Sequence, residues 1–358
     1  LERLRRDVTA FNRTNDVRLQ AQLQPGSEVG LTDVLVSLIE PPRNSVQLFA
    51  DSHGYRSTGR YQGGIALRGN SLLLDGDRTS VFASASDGAV TASASYNVPL
   101  GMSRIGVSYA RSQIQVTQGP SASLDIEGFT DTASISFARP VAERPGWHSS
   151  VVASLSYAAS KSKLSDTTVG KSSVYKATGG FSFGFDVEPG TVLGLNLTAS
   201  VTSAEDSLET ETRTFPMFNA DMWMATQLAP RLSLRAAAAG QYVVAEFIPS
   251  NQLFQVGGPN TIRGFQPGTA SGRSGFYTQA ELHYLAPVTP RGVDLFAFLD
   301  SGKAYSPDFG NRGLAATGVG MRLPLWRFDL EATYGFALTS LNPGEDRHRA
   351  DMRLVLSF

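Results

Sequence analysis

The sequence has no cysteine and only four histidines among its 358 residues. It therefore offers no disulfide framework, no Cys or His cluster at metal-ligand spacing and little scope for catalysis. A cysteine-free chain suits a polypeptide that crosses an oxidising compartment. Net charge is nearly absent too, since 31 basic and 32 acidic residues leave −1, and nothing supports a nucleic-acid partner. No Gly-x-x-x-x-Gly-Lys loop is present for nucleotide phosphates, and no cofactor is expected. No apolar run approaches the ~18 residues of a membrane-spanning helix, and mean hydropathy is −0.11. That last absence does not exclude a bilayer, because barrel strands show lipid an apolar residue only at every second position. The chain opens on LERLRRDV without an initiating Met or a signal peptide, and reads as a mature or trimmed product.

What is there is alternation. In TVLGLNLTASV, Leu193, Leu195, Leu197, Ala199 and Val201 share one face, opposite Gly194, Asn196, Thr198 and Ser200. FSFGFDV sets Phe181, Phe183, Phe185 and Val187 against Ser182, Gly184 and Asp186, and RFDLEATYGFAL repeats the pattern from Phe328 to Phe336. These are strands with one greasy and one wet face. A soluble sandwich also alternates. Three features favour a membrane barrel instead: charge, Ser, Thr and Gly on the wet face, aromatics near strand ends (Tyr96, Tyr109, Tyr157, Tyr284, Phe336), and connections of alternating length. Short turns at VEPG, LAPR, APVTPRG and LPLWR interleave with longer polar loops near 113–124, 160–171, 202–213, 251–275 and 301–312. The expected fold is all-β, an antiparallel barrel of about sixteen strands over residues 43–358. Residues 1–42 differ. Leu1, Leu4, Val8 and Phe11 have helical spacing, two strands flank a Pro25-Gly26 turn, and Pro41-Pro42 makes a stiff joint. This piece reads as the end of a small α/β module.

The stretch QVGGPNTIRGFQPGTASGRSGF, residues 255–276, interrupts the alternation. Its glycines let a backbone fold back tightly, with Arg263 at the tip of a loop (about 250–275) long enough to re-enter the lumen. The parity that turns Phe276, Thr278, Ala280, Leu282 and Tyr284 outward turns Glu281 inward. In DLFAFLD, Leu295, Ala297 and Leu299 face lipid, so Phe298 and Asp300 face the lumen. Both carboxylates are placed to meet the arginine, whose planar guanidinium bridges two acids as lysine cannot.

VGGPNTIRGF resembles the signature loop of the outer-membrane polypeptide-transport superfamily, commonly Val-Arg-Gly-Phe, with Ile262 here in place of Val. FLDSG, residues 298–302, matches its second signature, Phe-x-Asp-x-Gly. Within that superfamily the chain is most similar to the transporters of two-partner secretion, through LQPGSEVGLTDVLVSLIEPP, YRSTGRYQGGIALRGNSLLLDGD and YTQAELHY. The resemblance implies that residues 1–42 are the C-terminal part of a periplasmic POTRA domain. It implies that Arg263 is held by Asp300 and Glu281, with Ile262, Gly264, Phe265, Phe298 and Gly302 completing the loop anchorage. It implies a bacterial outer-membrane translocator, not an enzyme, that secretes a large partner polypeptide without nucleotide hydrolysis. Barrel-assembly factor and passive porin are the alternatives. Val17, Leu19, Thr32 and Val34 are candidate cargo contacts by β-augmentation. Lipopolysaccharide, other outer-membrane lipids and the barrel-assembly machinery are further expected partners, and the barrel is expected to be monomeric. The C-terminal DMRLVLSF looks like the strand signal that assembly machinery reads. WHSS (147–150) and His283 invite comparison with barrel lipases but read as satisfied polar residues. Lys161, Lys163 and Lys171 read as solvated loop charge that faces lipopolysaccharide.

Overall fold

The computed structural model describes all residues except 1–3, 5–7, 10, 13, 14, 16, 26–31, 41, 189, 208–211, 307–309 and 340–345, and the backbone alone of 23, 25, 32, 33 and 188. Leu4, Val8, Thr9, Phe11 and Asn12 are helical. The hairpin of β1 (Arg18–Pro25) and β2 (Thr32–Ile39) follows. Asn12 ties the helical segment to it, since its carboxamide accepts from Leu19 N at 2.6 Å and donates to Leu19 O at 2.9 Å. Leu1, Pro41 and the expected turn after Pro25 lie outside the described residues.

The barrel opens with β3 (Asn44–Asp51), β4 (Gln62–Asn70), β5 (Arg78–Ala85), β6 (Ala89–Leu100) and β7 (Ser103–Gln115). Long strands come next: β8 (Ile126–Arg144), β9 (Trp147–Leu164), β10 (Thr167–Glu188), β11 (Thr191–Asp206), β12 (Arg213–Ala229) and β13 (Leu232–Val243). The two short strands β14 (Phe254–Val256) and β15 (Ala270–Gly272) pair only with each other. β16 (Ser274–Ala286), β17 (Val293–Tyr305), β18 (Arg312–Leu325), β19 (Phe328–Ala337) and β20 (His348–Ser357) complete the wall. Each barrel strand pairs antiparallel with its neighbour in the chain, and β20 pairs with β3, so sixteen strands close on themselves. Closure is the only way a sheet in lipid can satisfy every backbone donor and acceptor. Among the described residues no helix is long and apolar enough to cross a membrane.

The outward faces are apolar and uncovered. Leu155, Phe181, Leu197, Val201, Leu282, Leu299 and Val319 are all exposed, while Phe296, Phe298 and Asp300 on the opposite parity are buried. A continuous apolar band of this extent is incompatible with water and suits acyl chains. Short turns gather at the end of the barrel where β3 begins and β20 ends. We call this the near end.

Two details differ from the sequence reading. The region 160–171 is no loop, because β9 and β10 run on to a two-residue turn at Ser165-Asp166 (φ 47° and 64°). Such positive φ values mark the tight hairpin turn that keeps twisted strands in register. The polar character that suggested a loop belongs to strands extending beyond the apolar band. For the same reason Tyr109 and Tyr157 lie well inside β7 and β9, marking the edge of that band and not the strand ends.

Candidate functional site

Between β13 and β16 the chain does not turn back at the far end but descends into the barrel. Its stem packs Ile248 with Val174, Ala204, Phe215, Met217 and Val243 on the inner face of β10 to β13. The β14–β15 ribbon then carries the tip to the wall formed by β16 to β19. There Ile262 and Phe265 join Val256, Ala270, Ala304, Leu314, Ala316 and Ala337 in a buried cluster. Two glycines permit the approach. Gly264 has φ +89°, which a side chain would strain, and a Cβ on Gly335 of β19 would sit 2.6 Å from Gly264 N. Gly302 makes the pocket for Ile262, since a Cβ there would lie 3.0 Å from Ile262 Cδ1.

This packing delivers Arg263 to two acids. Its Nε and Nη2 donate to Asp300 Oδ2 and Oδ1, each at 2.7 Å, and its backbone N–H donates to Oδ2 at 3.0 Å. Nη1 donates to Glu281 Oε1. The guanidinium stacks on Phe298, 3.8 Å from the ring centroid. Arg263 is 5% exposed and Asp300 is 0% exposed. This is not a surface ion pair worth at most ~1 kcal/mol. Removing one partner strands a buried charge and costs about 3–5 kcal/mol. The geometry is bidentate, so lysine at 263 cannot replace it. Arg263, Asp300, Glu281, Phe298, Ile262, Phe265, Gly264 and Gly302 therefore converge on one lock.

The lock is larger than its two acids. Glu281 Oε2 lies 2.8 Å from His283 Nε2, and His283 Nδ1 lies 2.9 Å from Asp294 Oδ1. Arg322 approaches Glu281 and Asp294 at 3.9 Å each and donates from Nε to Glu331 at 3.0 Å. His283 is thus a strut between two carboxylates. Sequence reasoning passed over Asp294, Arg322, Glu331 and Gly335. Parity on β16 and β17 already turns His283 and Asp294 inward, but the pairing of Arg322 with Asp294 and with Glu331 across two ladders appears only with register. The candidate cargo residues are elsewhere. Val17 precedes the β1 ladder, Leu19 is its second residue, and Val34 is exposed on β2. The side chain of Thr32 lies outside the described residues.

Residues 30–323 match the family of haemolysin secretion/activation proteins ShlB/FhaC/HecB. The chain belongs to this family. It is 24% identical over 332 residues to the outer membrane transporter CdiB of Dickeya dadantii (strain 3937), an alignment covering 86% of this chain and 58% of that relative. Its fold matches CdiB from Escherichia coli with a TM-score of 0.83 at 18% identity, over 98% of this chain and 69% of that one. CdiB from Acinetobacter baumannii gives 0.79 at 22% identity, over 100% and 68%. BamA from Haemophilus ducreyi lacking POTRA domains 1-3 follows at 0.66 and 14% identity, over 100% and 82%. A ShlB/FhaC/HecB family member with this closed, apolar-banded barrel resides in the bacterial outer membrane. The short-turn end then faces the periplasm, and the end from which the arginine loop enters faces the cell surface.

Proposed function

We propose that this chain is the translocator half of a two-partner secretion pair, conducting one large partner polypeptide from periplasm to cell surface. The observation that carries the reading is the loop itself. A 30-residue connection (244–273) that could sit outside is instead drawn inward and bonded to the lumen wall by Arg263. A passive porin has no need of a charge buried at this cost. Residues 1–42 are, in this reading, the end of a POTRA module. The open edges of its β1–β2 hairpin take up an extended cargo segment by β-augmentation, near Val17, Leu19, Thr32 and Val34. Translocation uses no catalytic group and no nucleotide, and folding of the emerging cargo outside prevents its return. The barrel works as a monomer, inserted by the assembly machinery that reads its last strand. A barrel-assembly role shares the fold but is favoured by no residue of the site.

The test is co-expression with a large secreted protein of the two-partner type, with cargo in the medium measured by immunoblot. Arg263→Ala is expected to cut export at least tenfold while the barrel still inserts and shifts its mobility on heating. Undiminished export by Arg263→Ala would remove the role assigned to the loop.

A further inference from the structure

The outer face of β7 to β10 carries charge where the apolar band ends. On β9 and β10 the inner face is fixed by Ala158 and Val174, which pack under the loop stem, and by Ser160, whose Oγ accepts from Asn251 at 3.0 Å. Their neighbours Ala159, Lys161, Lys163, Lys171 and Ser173 therefore face outward, in line with the exposed Leu155, Tyr157 and Tyr175. Tyr157 and Tyr175 are ladder partners with ring centroids 4.8 Å apart, an interfacial aromatic pair. Four residues further out, about 13 Å along the strand, Lys161 stands directly opposite Lys171. Between the two pairs the ladder partners are Ala159 and Ser173, too small to fill the surface. The result is a notch lined by Lys161, Lys163, Lys171, Arg111, Asp131 and Phe129.

Its charge is unbalanced. Arg111 is 3.7 Å from Asp131, and Lys163 is 3.4 Å from Glu127 and stacks over Phe129. Neither Lys161 nor Lys171 has a carboxylate partner among the described residues, and Glu205, diagonal to Lys171, accepts from Thr212 instead at 3.5 Å. Like charges directly opposed in a ladder destabilise a sheet. An arrangement that costs stability when bare is stabilised by an anion above it. The cations sit just outside the aromatic edge at the cell-surface end, and the lipid there supplies that anion.

We propose that this notch binds the phosphate groups of lipid A, the glycolipid of the outer leaflet, with Lys161 and Lys171 as its principal ligands and Arg111 at its rim. The acyl chains then run down past Tyr157 and Tyr175 along Leu155. This site rests on the outer-membrane setting and is independent of what the lumen conducts.

Purified, folded protein in detergent is titrated with diphosphoryl lipid A, phosphate-free lipid A and phosphatidylglycerol, with adducts read by native mass spectrometry. Diphosphoryl lipid A is expected to bind in preference to the other two. The double variant Lys161→Ala, Lys171→Ala is expected to bind it at least about tenfold more weakly. Arg139→Ala, an exposed outer-face cation at the periplasmic end of β8, is expected to change nothing. The unfolding temperature gives a second readout with a change of sign. Without lipid A the double variant is more stable than the parent, because the opposed charges are gone, and with lipid A it is less stable. Equal binding of phosphate-free lipid A or of phosphatidylglycerol, equal binding by the double variant, or a loss of stability in both conditions would each overturn the assignment.

Discussion

The wall built by β16 to β19 and the seam between β20 and β3 close the same barrel by different means. β16 and β17 share thirteen register pairs, and the loop tip adds a buried guanidinium and an apolar cluster to their inner face. The seam has five pairs, from Arg353–Asp51 to Ser357–Gln47. What it lacks in ladder it recovers in side chains at the cell-surface end. Ser52 Oγ donates to Asp351 at 3.2 Å, Arg349 donates to Asp351 at 2.7 Å and to Ser52 O at 3.1 Å, and Arg60 reaches across to Asp351 and to Ala350 O. Backbone bonds between Val46 and Phe358 finish the other end. The difference teaches that closing a sheet needs only a short ladder when a buried carboxylate gathers its edge, whereas holding a loop inside requires the wall to be over-determined.

The largest effect is expected at the wall. Asp300→Ala leaves Arg263 buried without its bidentate partner, at a local cost of about 3–5 kcal/mol. The loop is expected to leave the lumen while the barrel stays closed. Protease cutting within 250–275 of intact cells should then appear without loss of heat-modifiable mobility. A loop that stays protected in Asp300→Ala would show that the apolar cluster around Ile262 suffices.

At the seam the expected effect is smaller and differently placed. Asp351→Ala removes charge-assisted bonds at an order of about 2 kcal/mol. Amide exchange in 44–51 and 348–357 should speed up, with β16 and β17 unchanged. Uniform acceleration around the barrel would mean that the two closures are coupled.

The smallest effect concerns the periplasmic turn after β4. Asp77 is fully buried and accepts from the N–H groups of Leu72, Leu73 and Leu74, each at 2.8 Å, and from the Tyr96 hydroxyl at 2.9 Å. Burial pushes its carboxyl up, but the three N–H donors and the tyrosine outweigh this and hold it below the usual carboxylate range. A group depressed in the folded state stabilises above its unfolded pKa, and the contribution is lost as pH falls through the folded value. Asp77→Asn should therefore lower the unfolding temperature by a few degrees at neutral pH, and the gap from the parent should close in acid below ~4. An equal gap at both pH values would show that the carboxylate charge is not what orders the turn.

How much of this was legible beforehand depends on the distance over which each feature is specified. Alternation is local, so outward Leu155 or Leu299 and inward Asp300 follow from parity alone. The approach of Arg263 to Glu281 and Asp300 could be anticipated because each acid's facing is fixed by its own strand. The extent of β9 and β10 was not legible, because a strand that leaves the bilayer exchanges its apolar face for a polar one and looks like a loop. His283 as a strut, and the pairing of Arg322 with Asp294 and Glu331, depended on register across four strands, β16 to β19. Gly335 depended on where a loop some seventy residues earlier comes to rest.

By itself, then, the sequence determined the period, the two faces of every strand and the identity of the arginine with its two acids, since these rest on side-chain chemistry and on the pleat. Only the tertiary structure decided the closure at β20 and β3, the seat of the loop tip against Gly335 of β19 and the packing of the loop stem on β10 and β11. Each of those is a contact between residues whose separation along the chain carries no local signal, and each becomes favourable only when the whole sheet has curled far enough to bring them together.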